Sequence, residues 1–165
     1  MTDATLLRAV RHNCWANVEL IRFCSGLSPE QLAWTVPGTY GSIHATLQHI
    51  VGAEHGYLHA LTGDPPPGGF LAPGSGPVPL DDLLARARSN AERMESYLAS
   101  GADPDRRITR PSGTVATADV IAAQFIHHGS DHRAHVGSIL GAHGVEPPNL
   151  DVWAHGLELG LVTRP

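Results

Sequence analysis

The stretch that decides the fold is Ile121-Ala122-Ala123-Gln124-Phe125-Ile126-His127-His128-Gly129-Ser130-Asp131-His132-Arg133-Ala134-His135-Val136-Gly137-Ser138-Ile139. Placed at about 100° per residue, His128 and His132 lie about 40° apart, one turn from each other on one helix face. Ile121 and Ile139 fall between them on the wheel, with Phe125 and Val136 close by. Both imidazoles therefore point inward. Two histidines at i, i+4 are the usual way for a helix to offer two nitrogens to one metal ion. The plainer reading is a pair of core histidines satisfied by backbone or carboxylate. The pair favours the metal, provided that another element supplies a third ligand.

The helix around this stretch is read from about Thr117 to Ala142. Working outward, three more helices share its three- and four-residue apolar steps. One runs from about Thr5 to Ser25, with Gly26 as its stop and a short turn starting at Ser28-Pro29-Glu30. One runs from Ser42, a good N-cap, to Leu61 before Gly63. One covers about Leu80 to Ala99, with Leu83, Leu84, Ala87, Met94 and Leu98 on its apolar side. The Pro/Gly-rich segment Asp64 to Pro79 suits neither helix nor central strand and reads as an exposed crossover or a lid. Arg106 to Val115 gives a weak hairpin signal around Pro111-Ser112-Gly113. A last short helix is expected near Trp153 to Leu159. These elements predict an all-α, up-down four-helix bundle, one domain over residues 1–165.

The composition narrows the function. The chain has 165 residues, 42% hydrophobic and 16% charged, with a net charge of −5. It is globular and lacks the basic face of a nucleic-acid binder. No apolar run approaches the roughly 18 residues of a spanning helix, and no signal peptide is visible. The expectation is a cytoplasmic protein without membrane or nucleic-acid partners. Cys14 and Cys24 share one helix about 15 Å apart, too far for a disulfide with each other. All 11 Lys+Arg residues are arginine, which with abundant Ala, Gly and Pro suggests a GC-rich bacterial coding sequence.

The 11 histidines sort unevenly. On the second long helix His44, Gln48, His55 and His59 form a polar stripe expected to face solvent. His49 stands apart at a seam of small residues, Ala45, Ala53, Gly56 and Ala60. It is the best third ligand. Glu54 falls inside an apolar arc, where a carboxylate is costly unless paired. It reads as a structural group, paired with an arginine. His135 is a candidate fourth ligand, general base or rim residue. His127 and Asp131 read as a solvated pair. His12 lies one turn before Trp15, and both are weak candidates for a pocket rim.

Three ordered stretches resemble the DinB/YfiT-like superfamily of metal-binding four-helix bundles. They are Arg11 to Asn17 around Trp15-Ala16-Asn17, Thr46 to Glu54 with His49 in an L-x-H-x₃-AE pattern, and His128 to His135 with its H-x₃-H-R core. The ending Gly144 to Asp151 is also similar. The departure is Ala134-His135, where the family pattern has Gly-Gln. The resemblance implies a metal site on His49, His128 and His132, with zinc or nickel as the ion, and a homodimer. A three-histidine site with an open position implies catalysis. The leading expectation is transfer of a small bacterial thiol, of mycothiol or bacillithiol type, to an electrophile. Metal-dependent hydrolysis and a non-enzymatic, stress-related binding or scaffold role are the alternatives. A di-iron carboxylate site would need Glu-x-x-His pairs that are absent.

Overall fold

In the computed structural model, which describes residues 4–71 and 76–164, four long helices form the bundle. They are α1 (Ala4–Cys24), α3 (Ile43–Thr62), α4 (Leu80–Ala99) and α5 (Ala118–Ala142). Two short helices, α2 (Pro29–Leu32) and α6 (Val152–Glu158), and a hairpin of β1 (Arg107–Thr109) and β2 (Val115–Thr117) complete the described elements. The boundaries follow local chemistry. Ser42 accepts a hydrogen bond from the Ala45 amide at the start of α3, and Gly63 ends that helix at φ 82°, a left-handed conformation that suits glycine. Ser28 and Gln31 form a capping box on α2. In the hairpin Ile108 pairs with Ala116 and is buried. The tail helix lies where the sequence places it, capped by Asp151. Both cysteines are free and buried.

The bundle is the expected one, with one refinement in helix direction. α1 packs on α4 and α5, and α3 packs on α5 and α4, so α1 and α3 face each other across the diagonal. The start of α3 lies beside the start of α4, because His44 Nε2 sits 2.8 Å from the Val78 carbonyl. Their ends also meet, since Arg93 on α4 donates to the Asp64 carbonyl just after α3. Hence α3 and α4 run in the same direction, and the order is up-down-down-up rather than alternating. Each of these helices has 20 residues, about 30 Å. The segment between them must travel that length back, which explains its extended, Pro/Gly-rich composition. Arg86 on α4 holds it by donating to the carbonyls of Pro67, Gly68 and Gly69. The part of the expected crossover or lid at residues 72–75 lies outside the described residues.

This strap overturns the expectation of a solvated stripe on α3. His55 is 1% exposed, and burial with nearby Arg86 and Arg93 pushes its pKa down to about 4. Gln48 accepts from the Val78 amide, so it too faces the strap. Only His59 is exposed as expected, with Phe70 at its edge. The stripe was polar because it meets backbone groups of a loop, not because it meets water.

The apolar core is split in two. One cluster holds Val10, Leu58, Met94 and Phe125; the other holds Leu20, Leu47, Leu83 and Ile139. Between them lies a buried polar layer to which all four long helices contribute. Arg133 Nη1 donates to Asn13 Oδ1 (2.7 Å) and Asn17 Oδ1 (2.6 Å). The two amides turn their NH₂ groups to Glu54 Oε1, at 3.5 Å from Asn13 and 2.7 Å from Asn17. Asn90 Nδ2 donates to Glu54 Oε2 at 3.0 Å. Glu54 is thus not paired directly with an arginine as expected; Asn13 and Asn17 bridge it to Arg133. Burial raises its pKa from 4.5 to about 7, against the lowering pull of Asn90, Arg133, Asn17 and Asn13. Burial also lowers Arg133 to about 10. Gly129 makes room for this layer: a Cβ there would lie 2.4 Å from Asn13 Oδ1 and 2.9 Å from Arg133 Nη1.

Two outcomes follow from the layer. Gly129→Ala should destabilise the fold by roughly 2–3 kcal/mol in urea unfolding, because the new methyl displaces hydrogen-bonded groups that have no free space. A carboxyl whose folded pKa is raised stabilises the native state below its unfolded pKa and loses that contribution as pH rises through the folded value. The stability difference between the wild type and Glu54→Gln should therefore shrink by on the order of 3 kcal/mol from pH 4.5 to above 7, then level off. A difference that grows with pH would contradict the buried-carboxyl assignment.

Candidate metal centre

His49 lies on the first half of α3, and His128 and His132 lie on the middle of α5. The two helices are antiparallel neighbours, so one turn of α5 faces His49 directly. Each of the three residues offers a ring nitrogen, and these atoms lie within 4.8 Å of one another. His49 Nε2 and His128 Nε2 are 3.0 Å apart. The ring centroids are 4.4–4.8 Å apart. All three side chains are half-buried. The sequence expectation of a convergent trio is met.

The electrostatics favour lone pairs over charge. Burial lowers His49. Burial, then His132 and His49, push His128 to about 4, against a small opposing pull from Asp131. Burial, then His49 and His135, lower His132. In all three the shift favours the uncharged imidazole. Nitrogen ligands bind zinc at about 2.0–2.1 Å, so two on one ion are separated by roughly 3–4 Å. The donor type and the convergence of the three nitrogens are compatible with a divalent metal ion.

His135 is beside the cluster and outside the convergent group. Its Nδ1 lies 3.2 Å from His132 Nδ1. That contact leaves Nε2 as the nitrogen of His132 for a ligand. A ligating histidine commonly has its second nitrogen held by another group, which fixes the ring and its tautomer. His127 pairs with Asp131 at 3.1 Å on the exposed flank, as expected.

Tyr40, which sequence reading missed, covers the site. Its ring stacks on His49 (centroids 3.9 Å, 15° between planes) and meets His132 edge-on at 5.1 Å. Tyr57 meets His128 edge-on from α3. The signal for Tyr40 was faint: an aromatic residue between Gly38 and Gly41, directly ahead of the Ser42 cap. Gly38 takes φ 88°, which suits the tight turn. Beyond His49 and Tyr40 opens a cavity of about 810 Å³ between α2, α3 and the strap.

His12 and Trp15 do not line that cavity. His12 Nε2 lies 2.8 Å from the Leu150 carbonyl. Trp15 stacks on His155 at 4.8 Å and donates Nε1–H to Glu158. Their surroundings are the C-terminal helix α6, so the spacing that suggested a pocket rim reflects tail docking.

Protein purified without a nickel column should carry close to one divalent ion per chain by elemental analysis. Removal of one of three ligands should cost most of that metal in each of His49→Ala, His128→Ala and His132→Ala. Retention of stoichiometric metal in all three variants would exclude this site.

No curated protein matches the chain. A family model described as the DinB superfamily matches residues 14–136, which include His49, His128 and His132. With most of its length matched and the three histidines gathered as the sequence resemblance implied, the chain belongs to the DinB superfamily.

Proposed function

We propose that the protein is a metal-dependent thiol S-transferase that joins a low-molecular-weight bacterial thiol, of mycothiol or bacillithiol type, to an electrophile. The observation that carries this reading is the all-nitrogen, uncharged donor set opening beside a large cavity. A zinc or nickel ion held by three neutral ligands keeps its full positive charge and lowers the pKa of a thiol. In the overall reaction the thiol gives up its proton and its sulfur forms a bond to the electrophilic carbon. The leaving group departs with the bonding pair and takes up the proton.

The chain's own residues have distinct parts in this reading. His49, His128 and His132 hold the ion. His135 positions His132: with the shared hydrogen on His132 Nδ1, His132 Nε2 keeps its lone pair. His135 Nδ1 then accepts, and its hydrogen sits on Nε2. That tautomer supports a positioning role for His135 over the general-base role read from sequence. Tyr40 shields the stacked face of His49 from water. A cytoplasmic location is part of the proposal, supported by two cysteines kept as buried thiols. Among the described residues no helix is long and apolar enough to cross a membrane.

The test is a panel of small thiols with an aryl halide electrophile, read by mass spectrometry of the conjugate. Conjugation should require both thiol and metal and should be abolished in His128→Ala. His135→Ala should weaken metal affinity by about 10–100-fold, with partial rescue in His135→Asn. Ester or amide cleavage without thiol would favour the hydrolase reading. Conjugation that survives complete metal removal would overturn the proposal.

A further inference from the structure

The cavity beside His49 has a composition that sorts its occupants by charge. Apolar groups of Pro29, Leu32, Ala45, Ala53, Leu71 and Pro77 supply most of its wall. Among the described residues that line it, none is Asp, Glu, Lys or Arg. Its polar members are largely committed to the protein itself. Ser42 Oγ accepts from the Ala45 amide. His44 Nε2 is engaged by the Val78 carbonyl. Gln48 accepts from the Val78 amide and donates to the Gly76 carbonyl. At about 810 Å³ the cavity matches the size of drug-sized ligand sites, which are mostly apolar with a few polar groups. Gly52 also lines it, and an added Cβ there would meet Leu71 at 3.4 Å, an ordinary contact.

A carboxylate or a polyhydroxylated group entering this space would give up water and find few partners. An unpaired polar group is costly to bury, and an unpaired charge costs more. An aryl or alkyl group has no such penalty and gains by removing its apolar surface from water. The wall shared with the metal centre is aromatic, His49 with Tyr40 stacked upon it. A flat, uncharged ring suits that wall.

We propose that this cavity binds the uncharged aryl or alkyl body of the electrophile, and that the thiol approaches the histidine cluster from outside it. This rests on the thiol-transfer reading. The enzyme would then select hydrophobic, neutral electrophiles and discriminate against anionic ones.

A matched pair of fluorescent probes tests it: N-phenyl-1-naphthylamine, which is neutral, and 1-anilinonaphthalene-8-sulfonate, the same skeleton with a charge. Metal-loaded protein should bind the neutral probe saturably at one site per chain, at least 10-fold tighter than the sulfonate. Ala45 and Ala33 line the cavity at exposed positions, so bulky residues there fill it without entering the core. Ala45→Phe and, independently, Ala33→Trp should each weaken the neutral probe at least 10-fold while keeping metal content and melting temperature. Equal affinity for the two probes would overturn the inference. So would unchanged affinity in both variants. Metal-loaded protein with no saturable site for the neutral probe overturns the cavity assignment alone. Wild-type protein that carries no metal overturns the thiol-transfer reading, and the assignment of the occupant as an electrophile with it.

Discussion

A buried carboxylate that must be satisfied at the centre of the bundle constrains everything around it. Glu54 and Arg133 are both buried, and each ion taken out of water costs several kcal/mol. They do not touch. Asn13 and Asn17 stand between them with their carbonyls toward the cation and their NH₂ groups toward the anion. Each asparagine is thereby polarised in the sense that strengthens both of its bonds. Asn90 completes the shell from α4. A hydrogen bond to a charged group contributes roughly 1.5–3 kcal/mol, so a layer of this kind offsets the burial only if every member is in register. A slip of one residue in any long helix would leave a charge unpaired between two apolar clusters.

That register sets the metal centre. Arg133 follows His132 directly, and Gly129 follows His128. The axial layer and the histidine cluster are thus two adjacent faces of the same turn of α5. On α3 Glu54 is five residues beyond His49, which turns the carboxylate to the bundle axis and His49 to the flank facing α5. Fixing Glu54 and Arg133 across the axis therefore brings His49 opposite His128 and His132. The absent side chain of Gly129 lets α1 approach closely enough for Asn13 to join. Local periodicity places the ligands on their helices; the polar layer places the helices on each other.

This division explains what the sequence made legible. The i, i+4 pair on α5, the isolation of His49 and the odd position of Glu54 are properties of single helices, and periodicity exposes them. Asn13, Asn17 and Asn90 also sit on buried stripes, with Val10 and Leu20 on α1 and with Ala87 and Met94 on α4. Their place in a buried polar layer is not legible from the pattern, because an apolar-pattern reading counts a buried asparagine as a gap. His55 could not be placed from α3 alone, since its burial depends on a distant segment folding back along the helix. The parallel run of α3 and α4 was open to inference from the length of the crossover, which exceeds what an antiparallel turn needs. Tyr40 belongs to a loop, where no period constrains the side chain. His12 and Trp15 mislead for the converse reason: a correct helical spacing says nothing of which partner helix it meets.

The same layer bears on chemistry by what it withholds. Glu54 is the nearest buried carboxylate in sequence to His49, and a carboxylate joining the three histidines would cancel part of the ion's charge. Three amide donors engage its oxygens, and its place on the axis holds it away from the flank. Asp131, the other acidic residue beside the cluster in sequence, is turned outward onto His127. The donor set is therefore kept neutral by two separate arrangements, one buried and one exposed. A site with neutral ligands leaves a divalent ion at its most electrophilic, able to stabilise an anionic sulfur or oxygen. The described residues that line the cavity next to it bring no countercharge. Charge in this protein is concentrated on the bundle axis and at the surface, and the wall that His49 and Tyr40 form between the histidine cluster and the cavity is left uncharged.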